Sequence, residues 1–326
     1  MWRLACLVTI ALSALLVVAG LLAFYGIERV ERSGPLSADT VVNIPHGSGL
    51  EAIARQLEQA GVIEDPLVFR LGAHALGATR ALRAGEYLFP AALSTRDAIE
   101  LLRSGRTVVR RLTLAEGLTS FEIATLIERA EALEGTVGAP PAEGSLLPET
   151  YHYARGDSRA DLVARMGRAL DEAVGELWPG RAPGLPIATP AEAVILASIV
   201  EKETGKPSER PLVASVFVNR LKKGMRLQSD PTVVYGLSGG QGPLGRALSR
   251  KDLQTPSPYN TYLIDGLPPG PIANPGRAAL EAVLNPAQTG YLYFVADGRG
   301  GHAFAKTLAE HNRNVAKWRR IKKQQN

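Results

Sequence analysis

The stretch Ile195–Gly205, Ile-Leu-Ala-Ser-Ile-Val-Glu-Lys-Glu-Thr-Gly, reads as the last turns of a buried helix that carries two carboxylates. Its start is signalled upstream. Thr189 precedes Pro190, and Glu192 follows three residues after Thr189, a capping box with proline at the first helical position. Gly205 and then Pro207 mark the end. Between them Ala193, Val194, Ile195, Leu196, Ala197, Ile199 and Val200 cover almost every direction of a helical wheel. A helix apolar nearly all round is normally buried. Glu201 falls between the directions of Val194 and Ala197, in the last turn. The negative end of the helix dipole and burial both disfavour its charged form, which raises its pKa toward what a general acid needs near neutral pH. The competing reading is an ion pair with a lysine or arginine from elsewhere. Periodicity does not separate Glu201 from Glu203, which points toward Ile199 and Leu196.

Outward from this helix, the 326 residues suffice for a sizeable core and more than one domain. The apolar fraction of 45% and charged fraction of 21% are those of a globular protein. A net charge of +5 suits an anionic surface or polymer but does not single one out. Nucleic acid is excluded as a partner, because the basic residues are scattered and no basic run is interleaved with aromatics. Cys6 is the only cysteine, so no intrachain disulfide forms. The five histidines lie far apart and no HExxH or cysteine cluster exists, so neither a metal nor another cofactor is expected. Gly236–Gly240 fits the serine-elbow pattern, but the glycines and Pro243 that follow forbid the helix it requires. Gly240–Gly245 fits a dinucleotide-loop pattern without the surrounding βαβ unit.

The N-terminus divides from the rest. Leu4–Ile27 holds no charge and is rich in Leu, Val and Ala, long enough to cross a bilayer. Its length, and Phe24, Tyr25 and Ile27 beyond the Ala-Gly-Leu-Leu-Ala junction, favour an uncleaved anchor over a signal peptide. Residues 1–3 then form a short cytoplasmic tail, 4–27 a transmembrane helix and 28–40 a linker. Arg3 gives a weak bias toward a cytoplasmic N-terminus, with the body beyond the membrane. Residues 41–109 read strand, helix, helix, strand, a small α+β module. Beyond them come a helix over Thr119–Leu133, a long one over Asp161–Trp178, the Thr189–Gly205 helix and another over Leu212–Leu221. Met225–Gly236 reads as an extended segment and turn. Gln254–Pro275, dense in proline, glycine, tyrosine and asparagine, is a long loop of the kind that is commonly functional. Gly298–Gly301 is a hairpin signal and Leu308–Lys323 a closing helix. Gln228 and Asp230 are candidates to reach a cleft, with helix capping as the other role for Asp230. Tyr259, Asn260 and Tyr262 are sugar-facing types, since rings stack on pyranose faces and amides match hydroxyls. Tyr151 is a candidate cleft residue.

Ala-Ser-Ile-Val-Glu-Lys-Glu-Thr at 197–204 is followed by Val213–Leu221 (VASVFVNRL), Met225–Gly236 (MRLQSDPTVVYG), Tyr259–Tyr262 (YNTY), Gly266–Gly270 (GLPPG) and Tyr291–Gly298 (YLYFVADG). These ordered blocks resemble the endolytic murein transglycosylases of the MltG/YceG-like family. The resemblance covers roughly the whole chain past the N-terminal segment and is strongest from about Leu185. It implies a LysM-like domain at 41–109 and a mainly helical α+β catalytic domain at 110–326. It implies Glu201 as the catalytic acid, with Gln228, Tyr259, Asn260 and Tyr151 toward the substrate and the role of Glu203 open. One block departs from the pattern: Glu149 stands where the family usually carries Asp after the proline of Leu146–Tyr153.

The chemistry implied is lytic transglycosylation of peptidoglycan glycan strands from the inner membrane, on the periplasmic side. Ordinary glycoside hydrolysis uses two carboxylates facing one another, and residues two apart on a helix do not. A lone acid fits a reaction in which the sugar's own 6-hydroxyl closes onto the anomeric carbon, leaving a 1,6-anhydro-muramyl end. The alternatives are a non-catalytic peptidoglycan-binding anchor and a hydrolytic muramidase. A working partnership with peptidoglycan synthases is a family-level expectation.

Overall fold

A computed structural model describes Trp2–Gln325. Met1, in the predicted cytoplasmic tail, and Asn326, at the end of the predicted catalytic segment, lie outside the described residues. Among the described residues the chain forms eleven α-helices and three two-stranded sheets, the mixed α+β class expected. It divides into two compact units. One holds residues up to Arg110 together with Tyr153–Gly156, and the other Arg111–His152 and the chain from Asp157 onward.

The first unit begins with α1 (Trp2–Glu31), an apolar helix long enough to cross a membrane by length and composition, with none of its apolar window buried. This helix does not stop at Ile27. Glu28–Glu31 extend it because they have partners on the folded body: Arg29 pairs with Glu64 at 3.5 Å and Glu31 with Arg96 at 2.7 Å, while the Arg29 side chain also donates to the Tyr25 hydroxyl one turn back at 3.0 Å. The start of the predicted linker is therefore helical. Then follow β1 (Thr40–Ile44), α2 (Leu50–Gln59), α3 (Pro66–Ala75), β2 (Gly85–Phe89) and α4 (Thr95–Ser104). β1 and β2 pair antiparallel with Val42 opposite Tyr87 facing inward. Ile44, Leu57, Phe69, Tyr87, Phe89, Ile99 and Leu102 form the core beneath them. α3 starts on an Asp65 cap with Pro66 in its first turn, and α4 on a Ser94 cap. Glu86 is buried but held between Arg110 and Arg155, whose hydrogen bonds keep its pKa below the usual carboxylate range.

The second unit is built on the helix quoted first. After β3 (Arg110–Thr113), α5 (Ser120–Arg129), β4 (Thr150–Tyr153) and α6 (Arg159–Leu177) comes α7 (Pro190–Glu203). Both halves of the Thr189–Glu192 capping box are made, with Pro190 in the first turn. Ala193, Leu196, Ala197, Ile199 and Val200 are fully buried. Burying Leu196, Ile199 and Val200 stabilises the fold by about 1.5–3 kcal/mol each, which is why α7 is central. α8 (Arg210–Lys222) and α10 (Arg277–Leu284) pack around it, joining Val213, Phe217, Leu280 and Val283 to one core. β5 (Tyr293–Ala296) and β6 (His302–Ala305) form the expected hairpin, and α11 (Leu308–Gln325) closes the chain.

Met225–Gly236 differs from the extended reading. Residues Asp230–Ser238 form a helix, α9, with Pro231 in its first turn and Gly239 left-handed at its end. Ser229-Asp230-Pro231 is a helix-start signal that the polar run before it obscured. The long loop from Thr255 to Gly276 carries neither helix nor strand, as its composition required.

Candidate active site

Glu201 and Glu203 both sit in the last turn of α7, yet they face different partners. The Glu201 side chain is only 5% exposed. Its Oε1 accepts from Arg210 at 3.2 Å and its Oε2 from the Gly276 backbone N–H at 3.1 Å. Arg210, from the first turn of α8, also reaches Glu116 at 2.9 Å, and its buried Nε has no partner among the described residues. Burial raises the Glu201 pKa, while Arg210 and the Gly276 N–H act against that rise. Both donors favour the ionised form and occupy both oxygens, but burial outweighs them and the carboxyl stays above its ordinary range. Glu201 is thus in the ion pair that the sequence left open as its competing reading.

Glu203 is the final residue of α7, followed by Thr204 in an extended conformation. Its Oε1 accepts from the Ser229 hydroxyl at 2.5 Å. Its Oε2 has no protein partner among the described residues, and the residue keeps partial exposure. Burial pushes the Glu203 carboxyl up to about 7. The Asp230 charge adds to the rise, and the Ser229 hydroxyl and Arg220 oppose it. This carboxyl is therefore half protonated near neutral pH, the condition a general acid needs.

The residues around Glu203 come from three segments. Ser229 stands at the cap position of α9 but makes no cap there, because its hydroxyl turns to Glu203. Its own N–H bonds the Thr261 hydroxyl at 3.0 Å, fixing it to the long loop. Asp230 is exposed and accepts from the Tyr262 hydroxyl at 2.7 Å. Burial, then that bond, raises the Tyr262 pKa, so the phenol stays a donor. Arg220, on α8, is buried and donates to the Leu227 carbonyl at 2.8 Å and the Leu292 carbonyl at 2.7 Å. It braces the segment before α9.

Gln228 is exposed beside Ser229, with a left-handed φ of 52° that a non-glycine residue rarely adopts. Its Oε1 lies 3.4 Å from Arg220. The other three candidates make internal contacts. Asn260 is fully buried, and its amide donates to the Leu253 and Thr255 carbonyls while its Oδ1 accepts from the Tyr262 N–H. Both amide hydrogens are spent on those two backbone carbonyls. Tyr151 is buried, and its hydroxyl donates to the Leu147 carbonyl at 2.7 Å. Tyr259 is half-buried on the core, its ring 4.7 Å from that of Tyr235. Of the residues the sequence brought forward, Asp230 and Tyr262 bond each other next to Ser229, and Gln228 lies beside them. Sequence reasoning missed Ser229, Arg210 and Arg220, and only the unused cap position of Ser229 left a signal. Among the described residues no cluster of His, Cys, Asp and Glu could hold a metal ion.

Comparison with known proteins gives these features a family. Residues 42–317 match the model of the YceG-like family, and the chain belongs to that family. It is similar to the Bacillus subtilis protein named endolytic murein transglycosylase, at 33% identity over 90% of this chain and 88% of that one. A Streptococcus pneumoniae protein of the same name is 32% identical over 84% of this chain, which spans 57% of that longer relative. The crystal structure of a YceG-like protein from Listeria monocytogenes superimposes with a TM-score of 0.52 at 32% identity, covering 84% of this chain and 98% of that one.

Proposed function

We propose that this chain is a membrane-anchored endolytic lytic transglycosylase, and that Glu203 rather than Glu201 is its acid. The relatives' shared name supports the activity class. The Glu203 carboxyl, pushed up to about 7 by burial and held by Ser229 between the exposed Gln228 and Asp230, carries the assignment of the acid. α1 serves as the anchor to the bacterial inner membrane, with the folded units on the periplasmic side. The β1–α2–α3–β2 arrangement of the first unit serves as a LysM-like glycan-binding module. The substrate is peptidoglycan glycan, including nascent strands leaving the synthases.

Protonated Glu203 donates its proton to the oxygen joining N-acetylmuramic acid to N-acetylglucosamine. That bond breaks through an oxocarbenium-like state, and N-acetylglucosamine leaves with a 4-hydroxyl. The Glu203 carboxylate then takes the proton of the muramyl 6-hydroxyl, whose oxygen closes onto the anomeric carbon. The product is a 1,6-anhydro end, no water is consumed, and the acid is regenerated. The nucleophile is part of the substrate, so no second facing carboxylate is needed. Burial keeps Glu203 protonated, the Asp230 charge adds to this, and the Ser229 hydroxyl holds the carboxyl oriented. Glu201, bound by Arg210 and Gly276, braces the end of α7.

Mass spectrometry of fragments released from purified sacculi tests the reading. Anhydro-muramyl ends, lighter by one water than reducing ends, are expected. Reducing ends would identify a muramidase instead, and binding without release a non-catalytic anchor.

A further inference from the structure

An open groove of about 720 Å³ runs between the end of α1 and the outer face of α3. Leu22, Ile27 and Val30 line one wall, and Leu67, Leu71 and Leu76 the other. α3 buries Phe69, Gly72 and Ala73 in the core of the first unit. Its opposite face leaves Leu67 55% and Leu71 60% exposed, one helical turn apart. Such side chains add apolar area with nothing on them, which a folded surface normally avoids in clusters.

α3 is locked to α1 in register. A Cβ on Gly72 would lie 3.1 Å from Ile99 and 3.3 Å from Val30, so glycine lets α1 pass close. The Arg29–Glu64 and Arg96–Glu31 pairs fix the same junction. Depth along α1 therefore sets depth for α3. The helix rises about 1.5 Å per residue, so Leu22 lies roughly 10 Å further along the apolar run than Arg29. With α1 spanning a bilayer, a premise taken from the proposed function, Leu22–Ile27 lie inside the leaflet nearest the folded body. Leu67 and Leu71, alongside them, lie there too. Tyr25 and Arg29 mark the headgroup level, as aromatic and basic residues do at membrane boundaries. The hollow adjoining that level is lined by Arg29 and Arg32 and by Glu64 and Asp65, both signs together.

We propose that this groove seats a phospholipid acyl chain, so that α3 is a second membrane contact and the first unit lies on the bilayer. The adjoining hollow is too small for a headgroup, about 20 Å³, and its Arg29 and Glu64 pair with each other, so the acyl chain alone is seated. The apolar groove continues the lipid-facing surface of α1 without a break. The domain is then held down by its own helix as well as tethered.

The test uses the full chain carrying Leu71→Trp, reconstituted into phosphatidylcholine vesicles with and without bromine on the acyl chains. Leu67→Trp gives an independent second reading, and Leu88→Trp, 47% exposed on β2, is the reference position. The emission added over that of native Trp2, Trp178 and Trp318 is read. Quenching of about twofold at positions 71 and 67, and none at 88, is expected for side chains in the acyl region. Incorporation with no quenching at 71 and 67 would overturn the groove proposal alone. A blue-shifted but unquenched signal would overturn it too, by assigning the groove to a protein occupant. Equal quenching at 88 would replace it with unspecific collapse onto the surface. Failure of the unaltered chain to float with vesicles would remove the anchor reading as well.

Discussion

Replacing Glu203 by glutamine should make the protein more stable, by a gain that grows from about pH 4.5 and is complete above about pH 7. Below about pH 4.5 the carboxyl is protonated in both the unfolded and folded chain and contributes nothing. As pH rises, the unfolded chain loses its proton first, while the folded chain keeps it until about 7. Stability therefore falls across that window and stays lower above it. The gap between 4.5 and about 7 corresponds to about 3 kcal/mol, at about 1.4 kcal/mol per pKa unit. Glutamine keeps the shape, can accept the Ser229 hydroxyl and has no proton to lose. The Glu203→Gln protein should gain about 3 kcal/mol at pH 8 and almost nothing at pH 4. Urea unfolding of the full chain in detergent, followed by emission of Trp178 and Trp318 in the second unit, measures it. Equal unfolding midpoints at pH 8, or one and the same gain at both pH values, would refute the reasoning. A functional group that destabilises its own fold is a common trade between stability and activity.

Other outcomes follow from the same contacts. Glu201→Gln strips the buried Arg210 of one charge partner and should cost about 1.5–3 kcal/mol in urea unfolding, while any product made keeps its anhydro end. Ser229→Ala removes the hydroxyl that lowers the Glu203 pKa, so the basic limb of the activity–pH profile, near pH 7, should move upward. Asn260→Ala leaves the Leu253 and Thr255 carbonyls short of donors and should lower stability by about 1–3 kcal/mol, seen as a fall in Tm without a selective rise in KM. Gln228→Gly relieves the left-handed backbone at that position and should raise stability by about 1 kcal/mol, read as a higher urea midpoint.

Helix α7 was legible in full because its signals are local: cap, proline, apolar sweep and a glycine after the end. So was the loop after Gln254, where proline and glycine leave the backbone no regular option. The choice between Glu201 and Glu203 was not legible. Both lie in one apolar turn, and what separates them comes from Arg210, Gly276 and Ser229, which only folding brings near. The bonding of Asn260 was not legible either, for a related reason. Its amide suits a sugar, but an asparagine in a dense turn region commonly bonds its own backbone, and this one does. α1 ran past its apolar stretch because Arg29 and Glu31 found partners on the body, which hydropathy cannot report.

The measurement that bears most directly on the acid assignment compares Glu203→Gln with Glu201→Gln on purified sacculi, reading released fragments by mass spectrometry. Anhydro-muramyl fragments from the unaltered chain and from Glu201→Gln, with none from Glu203→Gln, are the predicted result. Anhydro release by Glu203→Gln, together with its loss in a folded Glu201→Gln protein, would contradict the account.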